Sequence, residues 1–247
     1  MNRRVFSGQG KVRSDVRESP RRSVLRTAEK PRSLRSYVPR LPQLENDWRE
    51  RYETPERWVN YGLQIRTVIE STPESVLEVG PGTGTVSGLL RGRGLNVTTL
   101  DVDPRFEPDI VGSVHELTRH VPPKSFDTVL CAEVLEHLPF DLLETCCQQL
   151  ATVARRCVVI GLPRCAQPHW GLTLKLRLPR WGDREITIGL PILPHWTGPT
   201  PDHYWSVDFR PYTLARVCDE IGKAFTVQGI RSDKLDPVHF LLICRPR

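Results

Sequence analysis

Apolar and polar positions along the chain follow two different repeats. Val76, Leu77 and Val79 form a short apolar run ending at Gly80, as a strand buried on both faces does. Similar runs cover residues 96–101, 108–112, 126–131 and 156–162, the last stopped by Pro163. Between them the spacing turns helical: a helix starts at Thr85, and an amphipathic helix is predicted over 140–154. Upstream, Trp48, Tyr52, Trp58, Tyr61, Ile65 and Val68 recur at helical intervals, broken near Pro55, which predicts two helices over 44–71. Downstream, a helix is expected over 213–225 and strands over 226–230 and 239–244. Strands and helices in alternation predict an α/β fold around a mostly parallel sheet.

Residues 163–211 interrupt this alternation. They hold eight of the 22 prolines, four of the six tryptophans and three of the seven histidines. Leu172, Leu174, Leu176 and Leu178 alternate with polar residues, and Ile186-Thr187-Ile188 alternates again after Trp181-Gly182-Asp183. That pattern predicts a hairpin turning at Gly182-Asp183. A long Pro- and Trp-rich insertion at the ligand-binding edge of a sheet is expected to act as a lid, its aromatic walls suiting a flat or sugar-like acceptor.

Charge separates the chain into two parts. The formal net charge is +6, yet residues 1–40 carry ten Arg and two Lys against Asp15, Glu18 and Glu29, which leaves the other 207 residues at −3. Residues 1–43 therefore read as a basic, disordered extension, and 44–247 as one domain containing the insertion. The extension lacks the apolar core of a secretory signal. The seven cysteines show no Cys-x-x-Cys pair, which excludes a zinc knuckle and points to a reduced, cytoplasmic protein. The apolar runs are too short to span a bilayer. Nothing in the sequence sets the oligomeric state.

The candidate chemistry centres on Glu78-Val79-Gly80-Pro81-Gly82-Thr83-Gly84. Strand, glycine turn and helix let a ligand approach the backbone closely. The pyrophosphate fingerprint would need a small Gly or Ala five places after its first glycine, where Thr85 or Ser87 stands instead. The pattern here is Gly-x-Gly-x-Gly led by an acid, and a carboxylate suits a cationic ligand better than a pyrophosphate. Asp101, 21 positions beyond Gly80, stands where such sites grip ribose hydroxyls.

These residues, together with Phe126-Asp127-Thr128-Val129-Leu130-Cys131-Ala132-Glu133-Val134-Leu135-Glu136-His137-Leu138, resemble the class I S-adenosylmethionine-dependent methyltransferases, and most the group acting on small molecules. The resemblance covers residues 60–160 strongly and the remainder in outline. It implies a Rossmann-like seven-stranded sheet with helices on both faces and the last inserted strand antiparallel. It also implies S-adenosylmethionine as cofactor, with Glu78, Gly80, Pro81, Gly82 and Gly84 shaping the amino-acid end of its pocket. Asp101 and Val102 would meet the ribose, Ser113 and Val114 the adenine edge, and Cys131 the end of the fourth strand. Ser113 stands where relatives often carry an Asp, so the adenine contact departs from the pattern.

Methyl transfer from a sulfonium requires alignment, exclusion of water and, for a hydroxyl acceptor, a base. His137, His203 and His169 are the candidates, with no metal required. No Asn-Pro-Pro-Tyr, Asp-Pro-Pro-Tyr or Pro-Cys follows the fourth strand, so DNA is not an expected substrate. The expected reaction is methylation of a small molecule at oxygen, with nucleic acid not expected as a partner. Two alternatives stand beside it. Glu133, Glu136, His137 and His203 resemble the metal site of small-RNA terminal 2′-O-methyltransferases, and a non-catalytic cofactor-binding protein would share the glycine loop.

Overall fold

The computed structural model describes the backbone of residues 53–164, 169–178, 182–191 and 202–247, with side chains except in the two middle segments and at Pro237. The basic extension, the part before residue 53 of the two helices expected over 44–71, and most insertion side chains lie outside the described residues.

Nine strands and four α-helices are described. Helix α1 (Pro55–Glu70) starts on Thr54, whose side chain accepts from the Arg57 N–H, with Pro55 in the first turn. Proline there has no N–H to leave unpaired, so it opens the helix rather than breaking it. Strand β1 (Ser75–Val79), α2 (Thr85–Gly92), β2 (Asn96–Asp101) and β3 (Ile110–Val111) follow the predicted alternation, as do β4 (Phe126–Ala132), α3 (Leu143–Val153) and β5 (Ala154–Pro163). A hairpin of β6 (His169–Leu178) and β7 (Gly182–Pro191) comes next, then α4 (Leu214–Gly222), β8 (Phe225–Asp233) and β9 (Asp236–Pro246).

The seven-stranded sheet runs β3-β2-β1-β4-β5-β9-β8. Strands β1 to β5 pair in parallel, while β9 inserts antiparallel between β5 and β8. This is the expected Rossmann-like topology, inserted strand included. Two cores lie on its faces, because successive strand residues point to opposite sides. Leu77 and Val79 join the core with Leu117, Leu150, Trp205 and Ile221, whereas Val76 joins Tyr61, Val68, Val86 and Leu90. Burial on both faces explains the unbroken apolar runs of the central strands.

The hairpin differs from expectation at its turn. Gly182 pairs with Leu178 and Asp183 with Arg177, so both belong to β7. The period-two signal located the strands, but the ladder register puts Gly-Asp inside the second of them. No helix among the described residues is long and apolar enough to cross a membrane.

Candidate active site

Parallel strands ending side by side put their following loops at one edge of the sheet, and here the loops after β1, β2 and β4 meet. The glycine loop is held in place by Gly80 N–H to the Leu100 carbonyl, 2.8 Å, and by the Gly82 N–H, which reaches the Asp101 carboxylate. Gly80 has φ +73°, and a Cβ there would run into the side chain of Val134, so the segment after β4 packs directly on the loop. Only glycine meets both conditions. Gly84, at φ 75°, precedes the first residue of α2 and turns the chain into it.

Glu78 is 4% exposed and has one carboxylate oxygen without any hydrogen-bond partner. Burial pushes its pKa up to about 7, against the pull of the Ser87 hydroxyl and N–H at the start of α2. A carboxyl so placed is ready to ionise beside a cation. Asp101, at the end of β2, accepts from the Asp103 N–H at 2.9 Å, and burial raises its pKa. Ser113 Oγ lies 2.7 Å from His115 Nδ1, and Val114 beside it is 2% exposed. Val102 is half-buried beyond Asp101, and Pro81 half-buried in the loop. Cys131 is fully buried in the core, so its sulfur faces packing rather than the cleft.

A second group gathers after β4. Glu136 is fully buried, and its carboxyl lies against that of Glu133. One Glu136 oxygen and one ring nitrogen each from His137 and His203 all lie within 4.8 Å of one another. The two rings meet edge to face with centroids 4.7 Å apart. Sequence separates these histidines by 66 positions, and Trp205 joins them. It is fully buried, donates Nε1–H to the Leu138 carbonyl at 3.1 Å and packs on Phe140, while the Tyr204 N–H binds the Glu136 carbonyl at 2.8 Å. His137 Nδ1 lies 3.1 Å from the Asp202 carbonyl. A carbonyl only accepts, so Nδ1 carries the proton and Nε2 the lone pair. Burial lowers both imidazole pKa values, His203 to about 4, so both rings are neutral at pH 7.

The structure thus brings His137 and His203 together. His169 begins β6, and its side chain lies outside the described residues. Sequence reasoning missed His239 and Asp236 of β9. His239 Nδ1 lies 2.8 Å from one Asp236 oxygen, and Nε2 lies 3.4 Å from Glu133 Oε2. A histidine opening the otherwise apolar run 239–244 was the available signal.

Comparison with known proteins bears on the family and the fold. A family model described as "Methyltransferase domain" matches residues 14–183. Magnesium protoporphyrin IX methyltransferase from Synechocystis, solved with bound S-adenosylhomocysteine, superposes with TM-score 0.55 at 14% identity, over 82% of this chain and 94% of that one. A Pyrococcus horikoshii protein gives 0.53 at 12%, over 83% and 100%. An S-adenosylmethionine-dependent methyltransferase from Clostridium acetobutylicum gives 0.51 at 9%, over 81% and 95%. At these identities the likeness is one of fold. No curated protein matches in sequence.

Proposed function

The chain belongs to the methyltransferase-domain family, and from that premise we propose that it transfers a methyl group from S-adenosylmethionine to an oxygen of a small-molecule acceptor. The donor is read onto the loop at Gly80, Gly82 and Gly84, with Glu78 near its ammonium and Asp101 on its ribose. Ser113, with its hydroxyl already against His115, and Val114 would border the adenine. The Synechocystis methyltransferase, solved with S-adenosylmethionine as well as its product, supports this cofactor.

The observation that carries the acceptor reading is the convergence of Glu136, His137 and His203 just after β4, in the segment whose Val134 packs on Gly80. The sulfonium already activates the methyl, so the protein's work is to align the acceptor and take its proton. His137 Nε2, with its lone pair left by the bond from Nδ1 to the Asp202 carbonyl, would serve as that base. His203 braces the ring edge-on, and the insertion 163–211 is read as the lid that keeps water out. Six described cysteines are unpaired, which suits a reducing, cytoplasmic setting.

A second reading has its own support: a buried carboxyl beside two neutral imidazoles is also a donor set for a divalent ion. Metal-assisted transfer to a ribose 2′-hydroxyl of RNA would follow. Glu133 is not among the three residues whose ligand atoms share that spacing. Labelled methyl transfer to a panel of phenols, sugars and short RNAs, with and without chelator, separates the readings. Chelator-insensitive transfer to a small hydroxyl, lost in His137→Ala with donor affinity intact, is expected. Chelator-sensitive transfer to RNA would replace the first reading by the second.

A further inference from the structure

We propose that Asn60 of α1 binds the acceptor through its side-chain amide and selects acceptors that carry a second hydroxyl beside the one methylated. The inference rests on the reading of the protein as an oxygen methyltransferase and adds to it a residue and a substrate class.

The polarity of Asn60 is what its surroundings do not explain. It is 1% exposed, and among the described residues neither its amide oxygen nor its amide nitrogen has a hydrogen-bond partner. Two other buried polar side chains of the same helix are answered: Thr67 Oγ1 donates to the Leu63 carbonyl at 2.8 Å, and Thr83 hydrogen-bonds the Tyr61 hydroxyl. A buried amide unpaired at both ends costs stability, and a leucine of nearly the same shape would not carry that cost. A ligand bound inside the cleft and meeting both ends accounts for an amide in this position.

The place of Asn60 in the fold says which ligand. The start of α1 lies over the carboxyl edge of the sheet, since Glu53 accepts from Thr85 Oγ1 at 3.3 Å and Tyr61 meets Thr83 of the glycine loop. Asn60 is turned about 100° round the helix from Tyr61, away from that loop. It shares a stripe with Gln64 and Thr67, four and seven positions on, and Arg231 of β8 donates to Thr67 Oγ1 at 3.4 Å. The helix packs on β4, β5, β9 and β8, so this stripe faces the β5–β9 side of the sheet rather than β1 and β2, where the glycine loop and Asp101 stand. The histidine pair belongs to the same side. The Pro163 carbonyl at the end of β5 accepts from the Val207 N–H at 3.2 Å, which anchors the segment carrying His203. Arg57, one turn before Asn60, is close enough for its charge to be felt at both His137 and His203.

The chemistry of the amide narrows the acceptor. Nδ2 donates and Oδ1 accepts, and one hydroxyl can answer both, taking one bond and giving the other. An ether in its place leaves Oδ1 unpaired, and a hydrogen or methyl leaves both atoms unpaired. An anionic group would find no counter-charge in an amide. With the reacting hydroxyl at His137 Nε2, the second hydroxyl would lie toward α1, as on neighbouring carbons of a sugar or a catechol.

The test uses the whole protein and three readings. In urea without ligand, Asn60→Leu is expected to unfold at the same or a higher concentration than the wild type, because an unpaired amide has been removed. In calorimetric titration its affinity for S-adenosylmethionine should stay within about twofold of the wild type, well short of the tenfold step that a lost contact of about 1.4 kcal/mol gives. Labelled methyl transfer then compares catechol with phenol and a methyl glycoside with its deoxy counterparts. For whichever pair the wild type methylates, it should favour the diol by at least about tenfold in kcat/KM, because a site built to bond a hydroxyl rejects the analogue lacking it. Asn60→Leu should lose that preference, and Asn60→Ser, which keeps a donor and an acceptor, should retain part of it. A marked loss of stability in Asn60→Leu, a loss of donor affinity as large as its loss of turnover, or an unchanged diol preference overturns the inference. So does a wild type that methylates the monohydroxy compounds as fast as the diols. Transfer to none of these hydroxyls by a wild type that binds the donor would instead overturn the oxygen-acceptor reading.

Discussion

Replacing Glu78 by glutamine should change the stability of the ligand-free protein more favourably at alkaline pH than near pH 5. Glu78 titrates at about 7 in the fold against 4.5 for a free glutamate, chiefly because burial disfavours its charge. For a carboxyl raised in this way the cost of ionisation is absent below 4.5, grows as pH rises to 7 and is complete above that. Linkage gives about 3 kcal/mol at pH 8 and under about 1 kcal/mol at pH 5, a difference of about 2.5 kcal/mol. Glutamine carries no such cost. Its amide would lack a partner where the second oxygen now lies, a pH-independent loss of about 1–3 kcal/mol. The difference between the two pH values is therefore the quantity to read. Urea unfolding of both proteins at pH 5 and pH 8 supplies it. A variant whose stability relative to wild type is the same at both pH values would refute the raised ionisation of Glu78. The same reasoning makes donor binding release protons at pH 7, measurable by titrating in buffers of different ionisation heat.

Asp101→Ala should weaken S-adenosylmethionine binding ten- to hundredfold, as loss of a charge-assisted partner worth about 1.5–3 kcal/mol requires, with melting little changed in circular dichroism. Trp205→Ala should cost about 3–5 kcal/mol in chemical denaturation, since a fully buried ring and its bond to Leu138 are removed together. In the same variant turnover should fall further than donor affinity, because Trp205 holds the His203 segment against His137. His203 resists protonation down to about 4, so as pH drops below 6.5 the unfolded chain takes a proton the fold refuses. Melting temperature should therefore decline between pH 6.5 and 4, and His203→Gln should flatten that decline.

Much of this was legible because of how central strands are made. Val76, Leu77 and Val79 are apolar without alternation because both sheet faces are covered, and the glycines after them announce a turn that side chains would obstruct. The candidate donor loop is continuous in sequence, which is why Glu78, the glycine loop and Asp101 could be proposed from sequence. The acceptor half is not. His203 could be set beside His137 only through the resemblance, because the burial of Trp205 that brings them together is a packing event periodicity cannot report. His239 and Asp236 were missed for a related reason. Their strand is inserted out of order between β5 and β8, and only that insertion sets them beside Glu133. The hairpin turn failed because Gly-Asp is a sound local signal that ladder register overrode.

The most direct measurement is a calorimetric titration of S-adenosylmethionine into the full chain, repeated in the presence of S-adenosylhomocysteine. Binding of one molecule per chain, displaced by the product, is the predicted result. No binding heat and no displacement in a folded protein would contradict the assignment of the glycine loop, and with it the methyl-transfer function built on that loop.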